Sequence, residues 1–223
     1  MFDKEGGEDN VYRRNVFQNS PVGLKINNQS DDNDIKNERT AIYENLFICS
    51  GEAYAEAVRM LVEPTDWDVY NNTGYNCHAI VVRSNSGPAT GGVVYNNIWS
   101  GTVESLIMWE SWNDDDREPD YMDFNFYAPE GRYRENRYQA NSENHVGLTD
   151  WSNASHPLVY DTHSMEGDPL FENPSALDFR LKEGSSARNA GVFGEDMGAY
   201  PRRDGTVIGP SGGISNIETG CFD

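Results

Sequence analysis

Residues 69–75 read VYNNTGY and residues 94–99 read VYNNIW. In both, an apolar–aromatic pair precedes an Asn, and one or two further apolar residues follow it. Outward from these two stretches the same arrangement recurs in VYRRNVF (residues 11–17), IYENLF (42–47) and YMDFNFY (121–127). The recurring residues Asn15, Asn45, Asn72, Asn97 and Asn125 stand 30, 27, 25 and 28 residues apart. Self-similarity at a period of this size marks stacked repeats, each burying its apolar face only against its neighbours.

Roughly eight to fifteen residues after each Asn comes a second apolar segment with period-two alternation. These segments are GLKIN (23–27), AVRML (57–61), AIVVR (79–83) and SLIMW (105–109), and the fifth repeat offers only GRYRE (131–135). The intervening pieces NQSDDND, EPTDWD and SNSGPATGG are rich in residues that break helices. No segment reads as a long amphipathic helix, so the expected class is all-β. Strands of such repeats pair with those one repeat before and after, about 4.8 Å away. At a shared corner the recurring Asn is expected to take a left-handed backbone conformation and hydrogen-bond along the stack, a structural role.

The chain of 223 residues carries 37 acidic and 17 basic residues, a formal net charge of −20. A phosphate backbone would be repelled, which argues against a nucleic-acid partner. Only Lys4, Lys25, Lys36 and Lys182 are lysines, and the other basic residues are arginines. This acid-rich, lysine-poor balance resembles that of proteins from salty habitats; the alternative is a secreted protein with cation-binding acidic loops. No run of about 20 apolar residues is present, so no membrane-spanning helix is expected. The opening MFDKEGGEDNVYRRN lacks the apolar core of a signal peptide and falls in mid-repeat. A further N-terminal portion, or another chain at the open β edge, is the expectation that follows.

Three cysteines, Cys49, Cys77 and Cys221, show no zinc-ligand spacing. Cys49 and Cys77 follow their asparagines by four and five residues. That places them on adjacent repeats about 5 Å apart, within disulfide reach. The burial habit of free cysteine favours two thiols instead.

Near the C-terminus, DPLFENPSALDFRLKEGSSARNAG (168–191) is followed by DMGAYP (196–201). Together with the Asn repeats, this resembles the closing segment of right-handed parallel β-helix proteins of the pectate-lyase-like kind, with Ser186 and Met197 departing from the pattern. The resemblance covers about residues 10–201 and implies a right-handed parallel β-helix of about five or six coils, residues 1–167. A capping segment of the same domain, residues 168–201, would cover the last coil with Leu170, Phe171, Phe179, Leu181 and Ala187. A Gly-rich tail, residues 202–223, would follow.

What the resemblance implies about function is a secreted or cell-surface carbohydrate-active protein. The first expectation is a polysaccharide lyase acting on a uronate-containing polymer; the second is a noncatalytic scaffold, adhesin or glycan-binding protein. In such lyases the substrate groove follows the sheet after the Asn corner. With Leu24 and Ile26 inward, alternation turns outward Lys25 and Asn27, then Arg59 and Leu61, Val81 and Arg83, and Ile107 and Trp109. A lyase neutralises the uronate carboxylate with calcium or Arg, and a basic side chain then removes the neighbouring proton. Arg83 or Arg59 is the expected base with Lys25 assisting, while Trp109, Trp112 and Asn27 would hold sugar. The competing reading pairs these cations with Glu56, Glu110 or Asp68. Asp114, Asp115 and Asp116, or Asp31, Asp32 and Asp34, are candidate calcium ligands, with solvated turns as the alternative. Hydrolysis is less expected, because no two carboxylates face each other on these strands. His78, His145, His156 and His163 read as turn or packing residues.

Overall fold

The computed structural model describes residues 2–3, 9–27, 38–51, 55–61, 64–84, 90–101, 107–111, 119–128, 132–135, 144–153, 160–203 and 206–207. After β1 (Phe2–Asp3) the chain repeats a trio of short strands. The trios are β2 (Val11–Arg13), β3 (Val16–Ser20), β4 (Val22–Asn27); then β5 (Ala41–Tyr43), β6 (Leu46–Cys49), β7 (Glu56–Leu61). Next come β8 (Asp68–Tyr70), β9 (Thr73–Tyr75), β10 (His78–Ser84); β11 (Val93–Tyr95), β12 (Ile98–Ser100), β13 (Ile107–Ser111); and β14 (Tyr121–Asp123), β15 (Phe126–Ala128), β16 (Arg132–Glu135). The GRYRE segment thus does form a strand.

First members of the trios make a five-stranded first sheet. Second members, extended by β18 (Met165–Glu166), make a six-stranded second sheet. Third members make the third sheet, with β1 at one edge and β17 (Asn144–Val146) at the other. Within these three sheets pairing is parallel except between β16 and β17. The sheets are therefore built by adding one strand to each per repeat, a β-solenoid-like arrangement with very little helix.

The strands are short because left-handed residues turn the chain between them. Arg14, Glu44, Asn71, Asn96 and Phe124 have φ of 51 to 55° and separate the first strand of each trio from the second. The left-handed position is thus the residue before the recurring Asn, and not the Asn itself as the sequence suggested. The turn residue frees the following Asn to bond along the stack. Backbone N–H and Nδ2 of Asn15 donate to Asn45 Oδ1, both at 3.0 Å. Asn45 donates in the same way to Asn72, Asn72 to Asn97 and Asn97 to Asn125, at 3.0 to 3.1 Å. The second Nδ2 proton reaches back to a main-chain carbonyl of the preceding repeat, as from Asn97 to Val69 at 2.9 Å. The ladder satisfies the buried side chains of Asn45, Asn72, Asn97 and Asn125, while Asn15 Oδ1 at its start has no partner among the described residues.

Inward residues of all three sheets meet in one core. Ile42, Val69, Val94 and Met122 come from the first sheet, Phe47, Trp99 and Tyr127 from the second, and Leu24, Ile26, Val58 and Met60 from the third. Cys49 and Cys77 sit within it and are joined as a disulfide with Cα atoms 5.1 Å apart. The expectation of two thiols is overturned: adjacent repeats hold the two Cβ atoms in bonding geometry.

The last repeat is closed by α1 (Leu148–Ser152), whose Trp151 is buried in the core with Tyr160. The C-terminal segment lies elsewhere than expected. Its hairpin of β19 (Phe171–Asn173) and β20 (Asp178–Leu181) joins Ala187, Met197 and Ala199 in a second apolar cluster with Leu46, Ile48, Ile98, Phe126 and Ala128. Those second-sheet residues alternate with the core residues Phe47, Trp99 and Tyr127, so they mark the outer face of that sheet. Gly198 N–H donates to Asn96 O, and Ala199 N–H to Thr73 Oγ1. The segment is a strap along the side of several repeats, because the exposed apolar row of the second sheet needs cover and the end already has Trp151.

Candidate functional site

With the second sheet strapped, two outer faces are left. On the third sheet, register sets Lys25 beside Arg59, Val81, Met108 and Arg134, and Asn27 beside Leu61, Arg83 and Glu110. The basic row therefore includes Arg134, which the sequence reading missed. Trp109 does not fall in these rows as expected. It pairs with Val82, which pairs with Met60 and through it Ile26, a row whose members Met60 and Ile26 are buried. A slip of one residue exchanges the two faces of a strand, and the burial of this row sets the register.

Arg59 donates from Nε and Nη2 to both oxygens of Glu56, whose side chain is fully buried. Ala57 and Val58 between them are both buried, so the alternation breaks there and brings Glu56 and Arg59 to the same side. The guanidinium is thus engaged by its own chain, the arrangement that the competing reading anticipated. The side chains of Asn27, Arg83, Trp109 and His145 lie outside the described ones, as do residues Asp31, Asp32, Asp34, Trp112, Asp114, Asp115, Asp116 and His156. Among the described residues no group of three or more His, Cys, Asp or Glu is placed to hold a metal ion.

The outer face of the first sheet carries a different row. Tyr43, Tyr70 and Tyr95 are in register on β5, β8 and β11, and their rings stack at 4.8 and 5.0 Å within 5° of parallel. Arg13 begins the row and donates from Nη1 to the Tyr43 hydroxyl, while Asp123 ends it. Each ring is half-buried. Stacking covers the facing sides of the rings, and each ring keeps part of its surface in solvent. Burial, and then the neighbouring tyrosines and carboxylates, push the Tyr70 phenol well above its usual range, so it stays a proton donor. In the adjacent row Asp68 has its carboxyl raised by burial and by the charge of Asp66. The signal for this row was in the motif itself: Ile-Tyr, Val-Tyr and Val-Tyr pairs precede three of the asparagines, and alternation turns the second member outward.

At the end of the row Asp123 binds His163. One carboxylate oxygen accepts the backbone N–H of His163 at 2.7 Å and of Phe124 at 2.9 Å, and the other meets His163 Nδ1 at 2.6 Å. The imidazole stacks on Phe124, with ring centroids 4.8 Å apart. The His163 side chain is 61% exposed while that of Asp123 is 10% exposed. A carboxylate that fixes one ring nitrogen and leaves the other toward solvent orients an imidazole for proton exchange or hydrogen bonding. Sequence reading placed His163 among packing residues, since nothing in the order of the chain brings residues 40 apart together.

Among the described residues several arginines are engaged by carboxylates of the same chain. Arg14 pairs with Glu44 at 2.7 Å, Arg39 with Asp9 at 2.6 Å and Arg180 with Asp178 at 2.5 Å. What the site offers is a straight line of hydroxyls on a rigid parallel sheet, with an oriented imidazole at one end. No protein-family model, curated protein or solved structure matches the chain.

Proposed function

We propose that this chain is a right-handed parallel β-helix of the pectate-lyase-like kind that acts outside the cell as a noncatalytic polysaccharide-binding scaffold, holding its ligand along the tyrosine row. The observation that carries this is the in-register line Tyr43, Tyr70, Tyr95 on an outer sheet face, its hydroxyls repeating about every 5 Å. A one-dimensional repeat of donors on a rigid sheet suits a ligand that is itself a linear repeat of hydroxyls, and little side-chain entropy is lost on binding. A net charge of −20, with Arg14 and Arg59 already paired to carboxylates, favours a neutral chain over a uronate. The disulfide supports an oxidising, extracellular location.

Retention on a panel of immobilised neutral and acidic polysaccharides tests the reading. Tyr70→Phe keeps the stack and removes one hydroxyl, and should weaken binding roughly three- to tenfold. Unchanged retention when all three tyrosines are replaced by Phe would refute it.

A second reading, β-elimination on a uronate polymer, rests on the register that sets Lys25 beside Arg59, with Arg83 in the neighbouring row. Growth of the ultraviolet absorbance of unsaturated uronates, with and without calcium, would establish it if the signal disappears in Arg83→Ala. A flat trace on all uronate polymers would leave the scaffold reading standing.

A further inference from the structure

The strap carries a feature that its covering role does not require. Between Ala187 and Met197 it forms a tight loop. Met197 N–H donates to Ala187 O and Asn189 N–H to Asp196 Oδ1, both at 3.0 Å. Nearer the tip, Gly191 N–H donates to Glu195 O at 2.9 Å and Gly194 N–H to Gly191 O at 3.0 Å. At the tip itself Phe193 is 98% exposed and has φ of 61°. A left-handed backbone is strained for a bulky residue, and the next position, with φ of 72°, holds Gly194. Neither the strain nor an apolar ring left in water stabilises the fold, and strain of this kind clusters where ligands are held.

The loop is seated at the corner between the first and second sheets, beside the last ring of the tyrosine row. Val192 N–H donates to Asn96 Oδ1 at 2.7 Å, and the Gly191 backbone lies so close to that amide that a Cβ there would meet Oδ1 at 2.6 Å. Asn96 is the left-handed residue directly after Tyr95. Bond lengths therefore keep the Phe193 Cα within about 15 Å of the Tyr95 Cα, roughly three strand spacings. One repeat on, the same left-handed position is held by Phe124, whose ring stacks with His163. The exposed Tyr121 stands in the neighbouring row of the first sheet.

We infer, resting on the polysaccharide-binding reading, that Phe193 is the stacking platform of this face: a neutral pyranose ring of the bound chain lies with its C–H face on the Phe193 ring while its hydroxyls meet the Tyr95 end of the row. The stacked tyrosines spend their facing sides on one another, whereas Phe193 keeps its ring in water. A pyranose has the two kinds of surface that this pair calls for, hydroxyls around its rim and a patch of C–H bonds on its face. Burying that patch on an aromatic ring gains hydrophobic and dispersion energy. A purely apolar partner would leave tyrosine hydroxyls without a mate, and an anionic one would meet the net charge of −20. Backbone bonds within the loop hold the platform in place, so little entropy is lost when a sugar settles on it.

Phe193→Ala and Phe193→Trp are compared with the intact chain, and with the variant in which Tyr43, Tyr70 and Tyr95 are all Phe, for retention on a β-glucan, a mannan, a xylan and a dextran. Urea midpoints and sedimentation are measured alongside. Phe193→Ala should leave the urea midpoint unchanged and weaken retention about tenfold, while Phe193→Trp should keep it. The emission of Phe193→Trp should also move to the blue when the retained polysaccharide is added, by more than that of the intact chain. Unchanged retention in Phe193→Ala, where the triple tyrosine variant loses it, would overturn the subsite and leave the polysaccharide reading standing. Failure of the intact chain to be retained on any of these polymers would sink both. A lowered urea midpoint in Phe193→Ala would make the ring a part of the fold, and loss of self-association without loss of retention would assign it to a second copy of the chain; either result overturns the inference.

Discussion

Replacing Asn97 by Ala removes four side-chain hydrogen bonds from the middle of the ladder: two accepted from Asn72, one given to Asn125 and one given to Val69 O. The groups left behind are not equally harmed. Asn72 Nδ2 keeps Ile42 O and Tyr70 O, and Asn125 Oδ1 keeps the backbone N–H of residue 97. The backbone N–H of Asn72, in a fully buried residue, loses the acceptor that holds it. A buried donor left unpaired costs about 1–3 kcal/mol, and each further bond lost costs roughly 0.5–1.5 kcal/mol, so the total is about 4 kcal/mol. Asn15→Ala is the control within the same motif. It forfeits one bond, to an Oδ1 that retains a second donor, and it deletes an acceptor that has no partner, so its cost is about 1 kcal/mol or less. Urea titrations of both variants, with slopes compared to confirm a single transition, would read the difference of about 3 kcal/mol. Equal destabilisation would refute the reasoning, because each Asn would then act through its own turn and not through the bond between repeats.

Three further outcomes are expected. Burial pushes the Asp161 carboxyl up to about 6 from 3.8, and a carboxyl raised by folding stabilises the fold fully below its unfolded value and loses that stability as pH rises through the folded one. The loss is on the order of 3 kcal/mol between about pH 4 and pH 7 and should be missing in Asp161→Asn, as midpoints of urea unfolding across that range would show; parallel pH profiles would count against it. Reducing the disulfide, which closes a sequence separation of 28, should lower stability by about 3.5 kcal/mol in the loop-entropy account, measured by denaturation with and without a thiol. A Cβ at Gly92 would run into the ring of Trp67, a fully buried side chain, so Gly92→Ala should cost about 1–3 kcal/mol in the same assay, and a neutral result would mean that Trp67 can move aside.

The all-β class, the stacking period and the Asn ladder were legible because each rests on a local signal repeated five times, and a repeat amplifies a weak pattern. The register of β13 was not, since alternation within one strand cannot say which of its two faces is inward; that is decided by the row of Ile26 and Met60 on other strands. The fate of residues 168–201 was hidden for a similar reason. Phe171, Phe179 and Met197 announce a surface to be covered, but whether it is the end or the side of the stack depends on Leu46, Ile98 and Phe126, whose outward position appears only once the strands are laid in register.

The candidate site divides along the same line. Arg59 was singled out as a free cation on an outward row, yet the break in alternation at Ala57 and Val58 returns Glu56 to its side, and an i,i+3 pair replaces a waiting base. The tyrosines drew no functional assignment from the sequence, which showed them only as the second member of each apolar–aromatic pair. Their common outward position follows from the buried residue just before each of them, Ile42, Val69 and Val94. In a stacked fold the residue next to the most buried one is the residue most exactly repeated on the surface, since the core fixes its height and its direction in every repeat. A surface ordered in this way by the core favours ligands with a repeat of their own, and it gives Tyr43, Tyr70 and Tyr95 a stronger claim to recognition than Arg14, Arg39 and Arg59, which already serve carboxylates of the same chain.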